Sequence, residues 1–365
     1  MSERITAIYR VTDSGAAIEA RAKTIAVEQS VEMPVSAITK PSVLDEIVGE
    51  VQAIRDLGGD EFEIAIGLAV STTGLEAGQT LNMLFGNSSI HADMVLHDAI
   101  FPAEVTRTFA GPRHGIEGLR KRVGAKTRAL TCSALKPQGL SPKELAALAA
   151  QFTHGGIDYL KDDHGLADQA YSPFAERVPA VADAVRDAQG QVPTRYLPSL
   201  SGNLDQLRCQ IEVVRTAGLD AALIAPMIVG LPSFHTLVRE NPDLAFMAHP
   251  AMAGAARIAP AFLLGKLFRL LGADATVFPN HGGRFGYTKE QCRALAGAAL
   301  VPWDGIKPCV PVPAGGMTTD RVPEMLDFYG TDVMLLIGGG LLAAGERLTE
   351  ETAAFVEAVH AHGKG

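Results

Sequence analysis

The chain has no apolar run long enough to span a membrane, no paired cysteine motif and no excess of positive charge, and each shortage closes off a class of function. Its apolar stretches fall short of the roughly 18 residues that a membrane span needs. Met1–Arg10 lacks the apolar core of a secretory signal. The four cysteines, Cys132, Cys209, Cys292 and Cys309, are widely spaced, so reduced thiols in a cytosolic protein are the expectation. A net charge of -9 without long runs of either sign argues against nucleic acid or an anionic membrane as partner. What remains is a soluble acidic enzyme.

At 365 residues and 47% apolar content, the chain exceeds the usual size of one core unless that core is a large barrel. From about residue 127 one theme repeats, an apolar strand followed by an amphipathic helix. Strands are expected at 128–136, 157–163, 194–200, 221–227, 244–249, 275–279, 307–313 and 333–338. Ser141-Pro142-Lys143-Glu144 and Thr288-Lys289-Glu290-Gln291 supply helix-start chemistry between them. Eight such units read as a (β/α)8 barrel over 116–365. Residues 1–115 read as a smaller α+β domain, with strands at 5–11 and 61–70 and helices at 16–28 and 42–55.

Barrel enzymes carry their chemistry at the C-terminal ends of the strands. The second strand ends in Lys161-Asp162-Asp163-His164; side chains alternate along a strand, so Lys161 and Asp163 share a face while Asp162 points the other way. Considered as an isolated triplet, this is more often a solvated salt bridge than a site. Lys136 ends the first strand, and an amine crowded by another lysine can act as acid or base near neutral pH; a surface lysine is the plain alternative. His249 ends the fifth strand, where a histidine satisfied by backbone is the plain alternative. Asn280 and His281 end the sixth. Gly315-Gly316 and Gly338-Gly339-Gly340 follow the last two strands, where barrels build phosphate sites from backbone N–H groups. Asp163 and His164 alone are a thin set for magnesium, which prefers several oxygens.

Residues 155–163, Gly-Gly-Ile-Asp-Tyr-Leu-Lys-Asp-Asp, closely resemble the metal-site strand of the ribulose bisphosphate carboxylase superfamily. Thr108–Ile116 is similar to that family's domain junction, Leu135–Ser141 to its first barrel loop, and the two glycine clusters to its phosphate loops. The resemblance implies that carbon dioxide converts the Lys161 amine to a carbamate that binds Mg2+ with Asp163, His164 being the candidate third ligand. It also implies a homodimer with active sites at the subunit interface, to which Glu28 and Asn87 of one subunit contribute.

Four positions depart from the carboxylase pattern. The metal-site glutamate is His164, the arginine expected after His249 is Pro250, the second lysine of the first loop is Gln138, and the segment Pro279–Phe285 presents no lysine. The departures imply a protein that does not fix CO2 on a bisphosphate, while enolisation of a substrate with one phosphate survives. Within the family this implies isomerisation of 5-methylthioribulose 1-phosphate to 1-methylthioxylulose 5-phosphate, in sulfur salvage, with Lys136 as base and Lys161, Asn87 and His249 in the catalytic set. The alternative is enolisation of 2,3-diketo-5-methylthiopentyl 1-phosphate, or enolisation or decarboxylation of a related sugar-acid phosphate. Asn87, where the enolase pattern has a lysine, favours the isomerase. A non-catalytic phosphate-binding barrel is the remaining reading.

Overall fold

In the N-terminal part, β1 (Arg4–Thr12), β2 (Glu50–Gly58), β3 (Glu61–Ala69) and β4 (Met94–Ile100) form an antiparallel sheet in the order β2-β3-β1-β4. The structure is a computed structural model that describes residues 3–362. β1 buries Ile5, Ala7, Tyr9 and Val11 in strict alternation, as a sheet with one covered face requires. The helix Ile18–Glu28 presents Ile18, Ala22, Ile25 and Ala26 on one stripe and packs against β2 and β3.

The helix expected at 42–55 is not there. A short helix, Pro41–Glu46, stops before Gly49, where any side chain would collide with the Ala26 carbonyl, and β2 follows as the edge strand. Two register shifts against β3, between Val51 and Ala53 and between Asp56 and Gly58, break the period of two. Val51, Ile54 and Leu57 are therefore the half-covered positions, a spacing of three that imitates a helix.

All eight expected barrel positions carry strands. They are β5 (Leu130–Leu135), β6 (Tyr159–Asp162), β7 (Arg195–Leu197) with β8 (Ser199–Leu200), β9 (Ala221–Ile224), β10 (Ala245–Ala248), β11 (Ala275–Pro279), β12 (Val310–Ala314) and β13 (Met334–Leu336). Pro198 splits the third into β7 and β8. Two parallel sheets result, β13-β5-β6-β7 and β12-β11-β10-β9-β8. Alternate residues from the strands, among them Cys132, Tyr159, Leu223, Met247, Val277, Val312 and Met334, meet in one core with Ile116 and Leu119 of the helix Gly115–Arg122 and with Val123 just after it.

No ladder joins β12 to β13, and β12 itself explains why. Val310 N–H donates to Asp274 O, and Ala314 O accepts from Asn280 N–H, so Val310, Val312 and Ala314 face β11. Backbone groups alternate sides, so Pro311 and Pro313 face β13, and neither has an N–H to offer.

By contacts, the described residues form two compact units. One runs to Ala110 and includes Met252–Leu263 and Asp304–Ile306; the other comprises Gly111–Ala251, Leu264–Trp303 and the residues from Lys307 on. The first therefore takes in two short segments that lie within the sequence span expected for the barrel. Among the described residues no helix is long and apolar enough to cross a membrane.

The buried Tyr159 hydroxyl donates to Leu119 O at 2.8 Å, tying β6 to the helix beneath it. Tyr159→Phe leaves that carbonyl without its partner, and urea unfolding should show a loss of about 1–3 kcal/mol.

Candidate active site

β5 and β6 pair with Ala134 opposite Lys161 and Leu135 opposite Asp162, which brings Lys136 level with Asp163. Lys136 Nζ donates to Asp163 Oδ2 at 2.6 Å. Lys161, only 4% exposed, lies on the same face, and its Nζ donates to Asp162 O at 3.0 Å. Burial lowers the Lys161 amine from the ordinary lysine value, against the raising influence of Cys132 and Asp163. Burial alone would raise the Asp163 carboxyl. The contacts from His164 and Lys136, with the charges of Lys136 and Lys161, outweigh it and hold Asp163 well below the usual carboxylate range.

His164 Nδ1 lies 2.8 Å from Asp163 Oδ1, off the line of a good hydrogen bond, and that buried oxygen has no aligned donor. The His164 ring stacks on His249, with centroids 4.2 Å apart and planes 7° from parallel. His249 thus reaches from the end of β10 to the end of β6. Its Nδ1 accepts from Ala251 N–H at 3.1 Å, which assigns the proton to Nε2. Burial first, then Lys161 and His164, push the His249 imidazole down to about 2, so it is neutral at working pH.

Asp162 turns away from this cluster, as strand alternation requires. It accepts from Arg177 Nε at 3.2 Å, Tyr196 Oη at 2.7 Å and Ser199 N–H at 3.0 Å. Arg177 is fully buried and also donates to Ser172 O and Ala167 O, fixing the loop after β6. Sequence reasoning overlooked Arg177, although a signal was present. It sits among Phe174, Val178 and Val181 on the buried stripe of its helix, where the period calls for an apolar residue.

The glycine clusters also come together. Gly315 and Gly316 are both left-handed, at φ 83° and 70°, and a Cβ on Gly316 would strike Gly283. A Cβ on Gly340 would lie 2.9 Å from Met317 O, whereas Gly338 and Gly339 face open space. Gly339–Leu342 is a single helical turn whose first N–H groups have no intrahelical acceptor. Ile337 N–H donates to Cys132 O, so this turn emerges beside the end of β5. Asn280 instead is buried and accepts from Tyr329 Oη, facing Met317 and Met325. In the other unit, Asn87 Nδ2 donates to Glu28 Oε1 at 2.9 Å, so the two residues singled out for a partner's site are themselves paired.

For a divalent cation this chain supplies one native carboxylate, Asp163, with an orphaned oxygen. Among the described residues no group of three His, Cys, Asp or Glu side chains converges on a metal position. Lys161 is two residues away on the same face, and its burial favours the free amine, the form that reacts with carbon dioxide. Carbamate formation would add the missing anionic oxygens, so the donor set fits Mg2+ on that condition.

A parallel α/β barrel with two lysines and a carboxylate at adjacent strand ends, and glycine turns after its last two strands, has the form of a barrel enzyme with its polar groups gathered at the C-terminal ends of the strands. Residues 115–361 match the catalytic domain of the ribulose bisphosphate carboxylase large chain. A 5-methylthioribulose-1-phosphate isomerase from Rhodospirillum rubrum is 59% identical over 98% of this chain and 97% of its own length. Ribulose bisphosphate carboxylase-like protein 1 of Rhodopseudomonas palustris is 56% identical over 100% of both chains. The crystal structure of a Rubisco-like protein from Rhodopseudomonas palustris superimposes with TM-score 0.94 at 51% identity, covering 100% of both. The chain belongs to the ribulose bisphosphate carboxylase large-chain family, among its RuBisCO-like proteins.

Because the folded-state value of His249 lies far below that of an unfolded histidine, its contribution to stability is complete above about pH 6.5 and is lost as pH falls toward about 2. Nitrogen-15 NMR of the imidazoles should show His249 as the Nε2–H tautomer, unchanged from pH 8 to pH 5.

Proposed function

We propose that this protein is an isomerase that converts 5-methylthioribulose 1-phosphate to 1-methylthioxylulose 5-phosphate. The observation that carries the reading is Lys136 held on Asp163 beside the buried Lys161 amine, with paired glycine turns emerging next to the same strand. The full-length likeness to a relative bearing that activity's name supports it. Counted from the phosphate end, substrate and product differ by a carbonyl at C2 against one at C4. Two successive enolisations accomplish this, and no atom is gained or lost: hydrogen leaves C3 and arrives at C2, then leaves C4 and arrives at C3.

Lys136 Nζ takes and returns these protons, and Asp163 Oδ2 holds the amine in place. The N–H groups of Gly315–Gly316 and Gly338–Gly340 bind the single phosphate. His249, neutral and with Nε2–H as donor, hydrogen-bonds a substrate oxygen. Carbamylated Lys161, Asp163 and His164 would hold Mg2+, which supplies Lewis-acid stabilisation of charge on the substrate oxygens when bound. Glu28 and Asn87 complete the site of a second copy in a homodimer. Asn87, neutral and bonded to Glu28, is unsuited to act as a base, and this favours isomerisation over the diketo-phosphate enolase reaction.

Incubation with 5-methylthioribulose 1-phosphate in deuterated water should yield a new phosphate ester carrying carbon-bound deuterium, and Lys136→Met should slow its formation roughly 10²–10⁴-fold. Turnover of only the diketo phosphate, or a fully active Lys136→Met variant, would refute the assignment. Independently of turnover, ¹³C-bicarbonate with Mg2+ should give a carbamate carbon resonance in the wild type that is missing from Lys161→Ala.

A further inference from the structure

At the pole of the barrel opposite the strand C-terminal ends lies a second concentration of charge. A cavity of about 600 Å³ opens there, lined by the helix Gly115–Arg122 and the residues just before it, by the start of β7, and by Asp220 and Lys307, which precede β9 and β12. Its size falls within the range of small-molecule sites, about 300–1,000 Å³. Five of its side chains are basic, Arg113, Lys121, Arg122, Arg195 and Lys307, against two carboxylates, Glu117 and Asp220. In a chain of net charge -9 this is a strong local reversal of sign.

The internal pairing leaves much of that charge unused. Asp220 is shared between Arg122 Nε at 3.1 Å and Arg195 Nη1 at 3.7 Å, so one carboxylate answers two guanidinium groups. Arg122 and Arg195 are held rigidly by backbone carbonyls, Arg122 by Gly118 O and Asp243 O and Arg195 by Arg122 O. Arg113 Nε is buried with no hydrogen-bond partner, although its own carbonyl accepts from Lys307 Nζ at 2.6 Å. A buried donor of this kind calls for an acceptor. The fork of Arg122 is fully engaged by Asp220 and two carbonyls, whereas Arg113 and the outer edge of Arg195 keep donors to offer. A guanidinium fork suits phosphoryl oxygens better than a single carboxylate. His114 is the one ring in the lining, so the site recognises charge rather than a stacked nucleobase.

We propose that this cavity is a second anion site, separate from the catalytic face, that takes a small molecule bearing two or more phosphoryl groups. It rests on none of the residues assigned to catalysis, so it stands or falls apart from the isomerase reading. Inorganic pyrophosphate is the probe, titrated by calorimetry at low salt into the full-length protein, with hydrogen exchange read by mass spectrometry. Pyrophosphate should slow exchange in residues 111–122. Arg113→Ala combined with Lys121→Glu should weaken its binding at least tenfold, leaving isomerase turnover and the melting temperature of the free protein unchanged. Lys121→Glu alone, at an exposed position, should weaken binding in the same direction and serves if the double variant does not fold. Protection confined to Gly315–Gly316 and Gly338–Gly340, or unaltered affinity in the variants, would overturn the proposal.

Discussion

The geometry of the site depends on a carboxylate that does not belong to it. Asp162 lies between Lys161 and Asp163 and is drawn to the opposite face of β6, where Arg177, Tyr196 and the Ser199 amide satisfy it in full burial. Breaking such a buried pair by removing one partner costs about 3–5 kcal/mol, so the strand end is held firmly in one rotation. With Asp162 fixed behind, Lys161 and Asp163 have only the core-facing side available. Arg177 extends the constraint by gripping Ala167 and Ser172, so the loop that follows His164 is set by the same network.

Much of the barrel was legible in the sequence because barrel strands, covered on both faces, read as apolar runs and because their chemistry falls at their ends. That Lys161 and Asp163 share a face follows from strand alternation, a property of local sequence, whereas the register that brings Lys136 level with Asp163 is set by the pairing of two strands. What was not legible depended on pairing between distant segments. β2 passed for a helix because its bulges against β3 moved the covered residues to a spacing of three. The stacking of His164 on His249, and the bond between Asn87 and Glu28, join residues whose separation in sequence carries no signal. Arg177 was visible as a charge on an apolar stripe, but its partner on β6 was not.

His164 shows how a departure in sequence becomes a difference in chemistry. A glutamate there would have brought a second negative charge beside Asp163. The imidazole instead leaves Asp163 as the sole native carboxylate facing Lys136 and Lys161, and spends its ring face on His249. With the Lys161 amine favoured in its free form by burial, the one carboxylate is balanced by Lys136, and the cluster carries less negative charge than a glutamate at 164 would give it.

The two prolines of β12 give the barrel a seam. Seven of its eight strand joins are laced by directional hydrogen bonds, and at the eighth, between β12 and β13, no ladder forms while side chains of both strands share the core. Both glycine turns hang from the two edges of that seam. Hydrogen bonds fail abruptly when strands slide, whereas packing yields gradually, so the two glycine turns sit at the one joint of the wall that no backbone ladder pins.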